Sequence, residues 1–226
     1  MTSSAAEKEL IHRVIEHLEV VYGVPRLRSG LDPLDTLIET ILSQSTNDRN
    51  RDRAFENLKQ RFADWEQVRR AQPRSIARAI KVGGLANIKS GRIRKVLNEI
   101  KRRVGSLNLS FLKRARIDSA KRFLTSLDGV GPKTAACVLL FACRRPVFPA
   151  DTHILRVTRR LGLIPQKCSD ERAHEILGRL VPAKKCYSTH INLIRLGRQV
   201  CRPTDPKCEQ CCLLDYCEYA REIGKI

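Results

Sequence analysis

Leu127-Asp128-Gly129-Val130-Gly131-Pro132-Lys133-Thr134-Ala135 is the stretch on which the fold of this chain turns. Two glycines bracket one valine, and a proline follows at once. Glycine tolerates the positive φ of a tight turn, and proline pre-sets the φ of a first helical residue. The stretch therefore reads as a turn between two helices. The turn's backbone N–H groups and the new helix N-terminus face outward together, forming an uncharged cradle suited to a phosphate. A glycine turn between helices is by default only a turn. Here the Gly-Val-Gly spacing, Pro132 and the following Lys133 together favour phosphate binding, with Gly129, Val130 and Gly131 as the contact residues.

Working outward, apolar residues recur with helical period on both sides. Leu10, Ile11, Val14, Ile15, Leu18 and Val21 form one stripe of an N-terminal helix that Gly23 and Pro25 end. Leu34, Leu37, Ile38, Ile41 and Leu42 form a second, with Asp32 as its cap and Pro33 at its first position. The pattern predicts further helices near 50–62, 64–71, 73–81, 88–104, 118–126, 132–143, 152–161, 169–180 and 186–196. Period-two strands are absent from the pattern, so the fold class is all-α. Val82-Gly83-Gly84-Leu85-Ala86-Asn87 is a second glycine junction between helices.

The 226 residues carry 43 Lys and Arg against 24 Asp and Glu, a net charge of +19. Solubility needs no such excess, and a polyanion does, because each cation laid on a phosphate releases a condensed counterion. A membrane is the other acidic surface, but no basic amphipathic helix stands apart from the fold. The longest apolar run, Ala135 to Cys143, is about half of a bilayer span. The stretch MTSSAAEKEL lacks the basic-then-apolar pattern of a signal peptide. The expectation is an intracellular, nucleoid-associated protein without membrane contact, working as a monomer.

Nine cysteines in a reducing compartment favour metal ligation over disulfides. Cys201, Cys208, Cys211 and Cys217 follow C-x6-C-x2-C-x5-C, compact enough to converge on one centre. Thiolates select zinc or an iron–sulfur cluster. Zinc sites usually pair two C-x2-C knuckles, and only the middle pair here has that spacing. Cys212, beside Cys211, is the alternative ligand. Cys137, Cys143, Cys168 and Cys186 read as small buried hydrophobes. Arg202 and Lys207 bound the loop between the first two ligands, where they would meet DNA phosphates.

Three signatures in order, the 127–135 stretch, Asp151-Thr152-His153-Ile154-Leu155-Arg156 and the four cysteines, resemble the endonuclease III family of DNA glycosylases, in the helix-hairpin-helix superfamily. The resemblance covers roughly residues 8–220. It implies two helical lobes, a six-helix lobe over 29–148 holding the hairpin and a second lobe of 1–28 with 149–226 holding a [4Fe-4S] cluster. Double-stranded DNA with a damaged or abasic site would lie across the groove between them.

By motif position Lys133 matches the family's catalytic lysine; without the match it would read as a phosphate ligand. The resemblance implies that Lys133 attacks C1′ of the damaged nucleotide, expels the base and forms a Schiff base that permits β-elimination. Asp151 matches the catalytic aspartate, and is also a natural N-cap for the next helix. Its catalytic duty would be to stabilise positive charge on the sugar and assist proton transfer. His153 is read as structural or DNA-facing. The target nucleotide must leave the stack. Gln44 matches the family's gap-filling glutamine and Leu85 its apolar wedge, though packing beside a turn would also account for Leu85.

This chain also departs from the family. Asn47 replaces an acid, and Ala86 an aromatic, at positions bearing on damage preference. Adenine-excising relatives lack a lysine at position 133 and carry a glutamate where this chain has Thr40, so that specificity is not expected. The expected activity is removal of oxidised pyrimidines with cleavage of the abasic site. The alternatives are a mismatch uracil or thymine glycosylase and a non-catalytic iron–sulfur DNA-binding protein.

Overall fold

The computed structural model describes residues 5–27 and 29–226, which form an all-helical protein with no strand among them. They divide into two compact units, 29–145 and 1–28 with 146–226.

The continuous unit holds α2 (Pro33–Leu42), α3 (Asp48–Arg61), α4 (Trp65–Arg70), α5 (Pro73–Ala79), α6 (Ala86–Val104), α7 (Ile117–Thr125) and α8 (Pro132–Cys137). Asp32 caps α2 as expected, its carboxylate accepting from the amides of Leu34 and Asp35. Such caps stabilise a helix by about 1 kcal/mol. Leu37, Ile38, Ile41 and Leu42 from α2 share a core with Leu58, Ile76, Ile93, Val96, Leu97, Val138 and Leu139, all inaccessible to solvent. The helix expected over 132–143 changes pitch midway. It is α-helical to Cys137 and π-helical over Val138–Ala142. π-turns are rare and cluster at functional sites.

The discontinuous unit joins α1 (Ala5–Tyr22) to α9 (Thr152–Arg160), α10 (Asp170–Leu180), α11 (Cys186–Gln199) and α12 (Glu218–Glu222). The end of α1 and the start of α11 meet through polar bonds that periodicity does not announce. Glu19 accepts from Lys185 Nζ at 2.6 Å and from Ser188 Oγ at 2.7 Å. The Asn192 amide donates to the carbonyl of Gly23 at 2.9 Å. Burial raises the Glu19 carboxyl pKa, but the bonds from Lys185 and Ser188 outweigh it and hold the group below the usual glutamate range. Ile11, Val14, Ile15 and Leu18 are buried as expected, whereas Val21 is 56% exposed. The buried stripe thus stops one turn early. The scattered cysteines are likewise as expected at Cys137, Cys143 and Cys186, which are buried, while Cys168 is half-buried.

Candidate functional site

The glycine turn at 127–131 follows α7 and opens into α8. Gly129 has a φ of +70°, and a Cβ there would overlap the Arg92 side chain, so two constraints demand glycine. Val130 contributes differently from expectation. Its side chain is buried and its amide donates to the Leu127 carbonyl at 3.1 Å, so it shapes the turn from inside. Gly131 N-caps α8 without any side-chain acceptor, which leaves the first-turn amides available to an anion. Lys133 lies in that turn, half-buried, and its ammonium has no hydrogen-bond or ion-pair partner among the described residues.

Gln44 follows the C-terminus of α2 and reaches the same turn. Its side-chain amide donates to the Gly129 carbonyl at 3.4 Å, and its carbonyl oxygen accepts from the Arg92 guanidinium. Sequence reasoning missed Arg92, which lies on α6 and has no motif around it; only its reach over a glycine at positive φ reveals it. Leu85 stands at the start of α6 in left-handed conformation, φ 48° and ψ 36°, with 53% of its surface exposed. An exposed leucine held in a conformation that costs an L-residue about 1–2 kcal/mol is not ordinary packing. Asn47 caps α3, its side chain accepting from the Asn50 amide at 2.9 Å. Thr40 is buried, with its hydroxyl donating to the Thr36 carbonyl at 2.7 Å, so this helix face offers no acid.

In the other unit Asp151 caps α9, its carboxylate accepting from the Ile154 amide at 2.9 Å. Two histidines fix the segment before it. His190 Nδ1 donates to the Pro149 carbonyl at 2.9 Å, and His174 Nε2 accepts from the Ala150 amide at 3.1 Å. His174 Nδ1 faces the Asp170 carbonyl at 2.8 Å, which places the ring proton on Nδ1. His153 accepts from Arg156 at 3.2 Å; burial pushes its pKa below the usual histidine value. That supports a structural role for it.

The four cysteines surround one pocket. Cys201, Cys208, Cys211 and Cys217 line it together with Arg160, Leu214 and Tyr219, and Cys212 is not among its walls. Among the described residues no three His, Cys, Asp or Glu side chains close on a single metal ion. A tetrahedral zinc would hold its sulfurs only about 3.8 Å apart, from Zn–S bonds of about 2.3 Å. Four thiols that line one pocket, with no three of them closing on a single ion among the described residues, fit a multi-iron cluster better than one ion.

Helix α9 supports this loop through two arginines one turn apart. Arg156 donates to the carbonyls of Cys201 at 3.0 Å and Gly197 at 2.8 Å. Arg160 donates to Arg202 O at 2.8 Å, Pro203 O at 3.1 Å and Cys201 Sγ at 3.3 Å, and stacks on Tyr219 at 4.4 Å. Arg202, expected to offer its charge to DNA, pairs with the exposed Asp205 in its own loop at 2.8 Å. Lys207 remains exposed.

The HhH-GPD superfamily of base excision DNA repair proteins matches residues 38–183. An endonuclease III from Thermotoga maritima is 31% identical over 214 residues, covering 94% of this chain and 96% of that protein. A relative from Arabidopsis thaliana is 38% identical over 165 residues; the match covers 73% of this chain and 56% of that longer protein. Among solved structures, a trapped endonuclease III–DNA covalent intermediate superposes with a TM-score of 0.81 at 22% identity, over 96% of this chain and 98% of that one, a likeness of fold.

Proposed function

The chain belongs to the endonuclease III family of HhH-GPD base excision DNA repair proteins, and from that premise we propose a bifunctional enzyme that removes oxidised pyrimidines and then cleaves the abasic site. That it is a DNA glycosylase of base-excision repair follows from the family itself. The observation that carries the finer reading is Lys133, an unpartnered amine in the first turn of the second hairpin helix.

In the proposed reaction the neutral Lys133 amine adds to C1′ of an extruded nucleotide as the glycosidic bond breaks, and the bonding pair leaves with the base. Asp151, its position set by its capping bond, stabilises the positive charge developing on the sugar and takes part in moving the amine's proton. The sugar ring then opens as the C1′–O4′ bond breaks, its electron pair leaving on O4′, which takes up a proton, and the nitrogen lone pair completes the Schiff base. This acidifies the C2′ proton, and loss of that proton expels the 3′ phosphate. Gln44 and Leu85 fill the space that the nucleotide leaves. The hairpin turn and the chain's +19 charge supply phosphate contacts.

Cys201, Cys208, Cys211 and Cys217 would hold a [4Fe-4S] cluster whose contribution is to clamp the loop bearing Lys207, with no redox step required of it. The proposed partner is duplex DNA inside the cell, bound by one copy of the chain.

Borohydride trapping on a duplex with an abasic site tests the mechanism. Wild-type protein should become covalently attached, while Lys133→Gln should bind the duplex with its normal salt dependence and not be trapped. Normal trapping by Lys133→Gln would remove Lys133 from the mechanism. A parallel panel of duplexes, each with one oxidised pyrimidine or one G·T or G·U mismatch, tests the substrate class; excision confined to the mismatches would overturn it.

A further inference from the structure

Lys89 is among the largest fully buried side chains of the described residues, with 1% of its surface exposed. No carboxylate pairs with it among the described residues. Its ammonium donates instead to two backbone carbonyls, Leu42 O at 2.8 Å and Gly83 O at 2.7 Å. A buried cation without a counter-charge is costly, and a fold retains one where its hydrogen bonds do something an apolar side chain could not. Burial accordingly pushes its pKa below the usual lysine value.

The two acceptors are informative. Leu42 is the last residue of α2, where helix carbonyls lack partners and carry the negative end of the dipole. It stands two residues before Gln44. Gly83 stands two residues before Leu85 and is wedged against α3, where an added Cβ would come within 3.1 Å of Ala54. Just beyond each acceptor the backbone enters the left-handed region at a residue with a side chain, Ser45 at φ 52° and Leu85 at φ 48°. The loops run side by side, with the Ser45 carbonyl 3.9 Å from where a Gly84 Cβ would lie. Two strained loops, far apart in sequence, are thus pinned at their roots by one side chain.

We propose that Lys89 is a positioning residue that holds the Gln44 and Leu85 loops together in the conformation that enters DNA, so that the gap-filling pair is formed before the duplex arrives. The proposal rests on the insertion roles given to Gln44 and Leu85 above. Without the tether each loop would relax from its unfavourable φ, and the pair would have to be assembled at the moment of extrusion.

The test uses a short duplex with a tetrahydrofuran abasic analogue opposite 2-aminopurine, whose fluorescence rises when side chains displace it from the stack. Binding is followed separately by anisotropy. Lys89→Met should bind the duplex nearly as tightly as wild type, yet give about a third or less of the fluorescence rise, because two charge-assisted hydrogen bonds are lost. Ser45→Gly in the Lys89→Met background should restore part of the rise, since glycine accepts positive φ without being held there. A full rise from Lys89→Met overturns the proposal. So does a loss of binding and rise together that Ser45→Gly leaves unchanged, the mark of general disruption.

Should Lys89→Met not fold, Lys89→Gln, too short to reach both carbonyls, takes its place with the same expected and overturning results. Leu85→Ala and Gln44→Ala separate the two layers. If both keep the full rise, insertion itself fails. If both lose it while Lys89→Met keeps it, only the tether fails.

Discussion

Replacing Arg160 by methionine should free the cysteine loop while leaving the rest of its unit folded. The guanidinium makes bonds to Arg202 O at 2.8 Å and Pro203 O at 3.1 Å, a weaker one to Cys201 Sγ, and a stack on Tyr219. A hydrogen bond from a charged donor contributes about 1.5–3 kcal/mol, and a cation–π contact about 0.5–1 kcal/mol where partly exposed. The two carbonyls regain water when the loop opens, so the lower end of the hydrogen-bond range applies, and these two bonds alone contribute about 3 kcal/mol. Methionine preserves most of the stem's packing, and Arg156 still holds Cys201 O and Gly197 O. The cost therefore falls on local opening of residues 202–207.

Every 1.4 kcal/mol is about tenfold in an equilibrium, so about 3 kcal/mol makes the open form on the order of 100-fold more populated. Trypsin reads this directly at the exposed Lys207, because cleavage follows the open population when reclosing is fast. Arg202 precedes a proline and does not compete. The Lys207–Cys208 bond should be cut on the order of 100-fold faster in the variant, with helical circular dichroism unchanged. Equal cleavage rates in variant and wild type would show that the loop is held without the guanidinium and would refute this assignment of the bonds.

Other outcomes follow from single groups. Glu19→Gln should destabilise the protein by about 2 kcal/mol at neutral pH, since it removes the negative charge from two largely buried charge-assisted bonds and sets an NH2 donor in place of one of the two acceptor oxygens. The folded-state pKa of Glu19 lies below its unfolded value of 4.5, so this stabilisation is complete above that value and disappears as pH falls through the folded pKa. Urea melts of wild type and variant should therefore converge in acid; a constant gap would contradict the assignment. Gly129→Ala should cost about 1–2 kcal/mol from the positive φ alone and push Arg92 off Gln44, so duplex affinity should fall along with stability. Purified protein should contain iron and absorb visible light by thiolate-to-iron charge transfer, whereas a colourless, zinc-loaded preparation would overturn the cluster assignment.

Much of this molecule is written in local patterns. The period of Leu34, Leu37, Ile38 and Ile41, the cap at Asp32 and the proline at 132 declare helices and their starts, because each depends on neighbours within a turn or two. The same locality made Asp151 and the cysteine spacing legible. Val21 misled because a stripe in sequence does not reveal how much of a helix its partner covers. Composition likewise counts Arg202 as a free cation and does not reveal that its guanidinium reaches Asp205 three residues on.

What only tertiary structure decided is where long polar side chains end. Lys89, Arg92, Arg160 and His174 look like surface charge or helix filler in sequence. Each instead closes a bond to a backbone group or side chain beyond its own helix, at Leu42 and Gly83, Gln44, Arg202 and Ala150 respectively. Backbone carbonyls and amides carry no residue-specific signal, so a bond to them leaves no motif. Helix formation is local and periodic, whereas satisfying a buried or loop-bound polar group depends on which chain segment packing brings within about 3 Å of it.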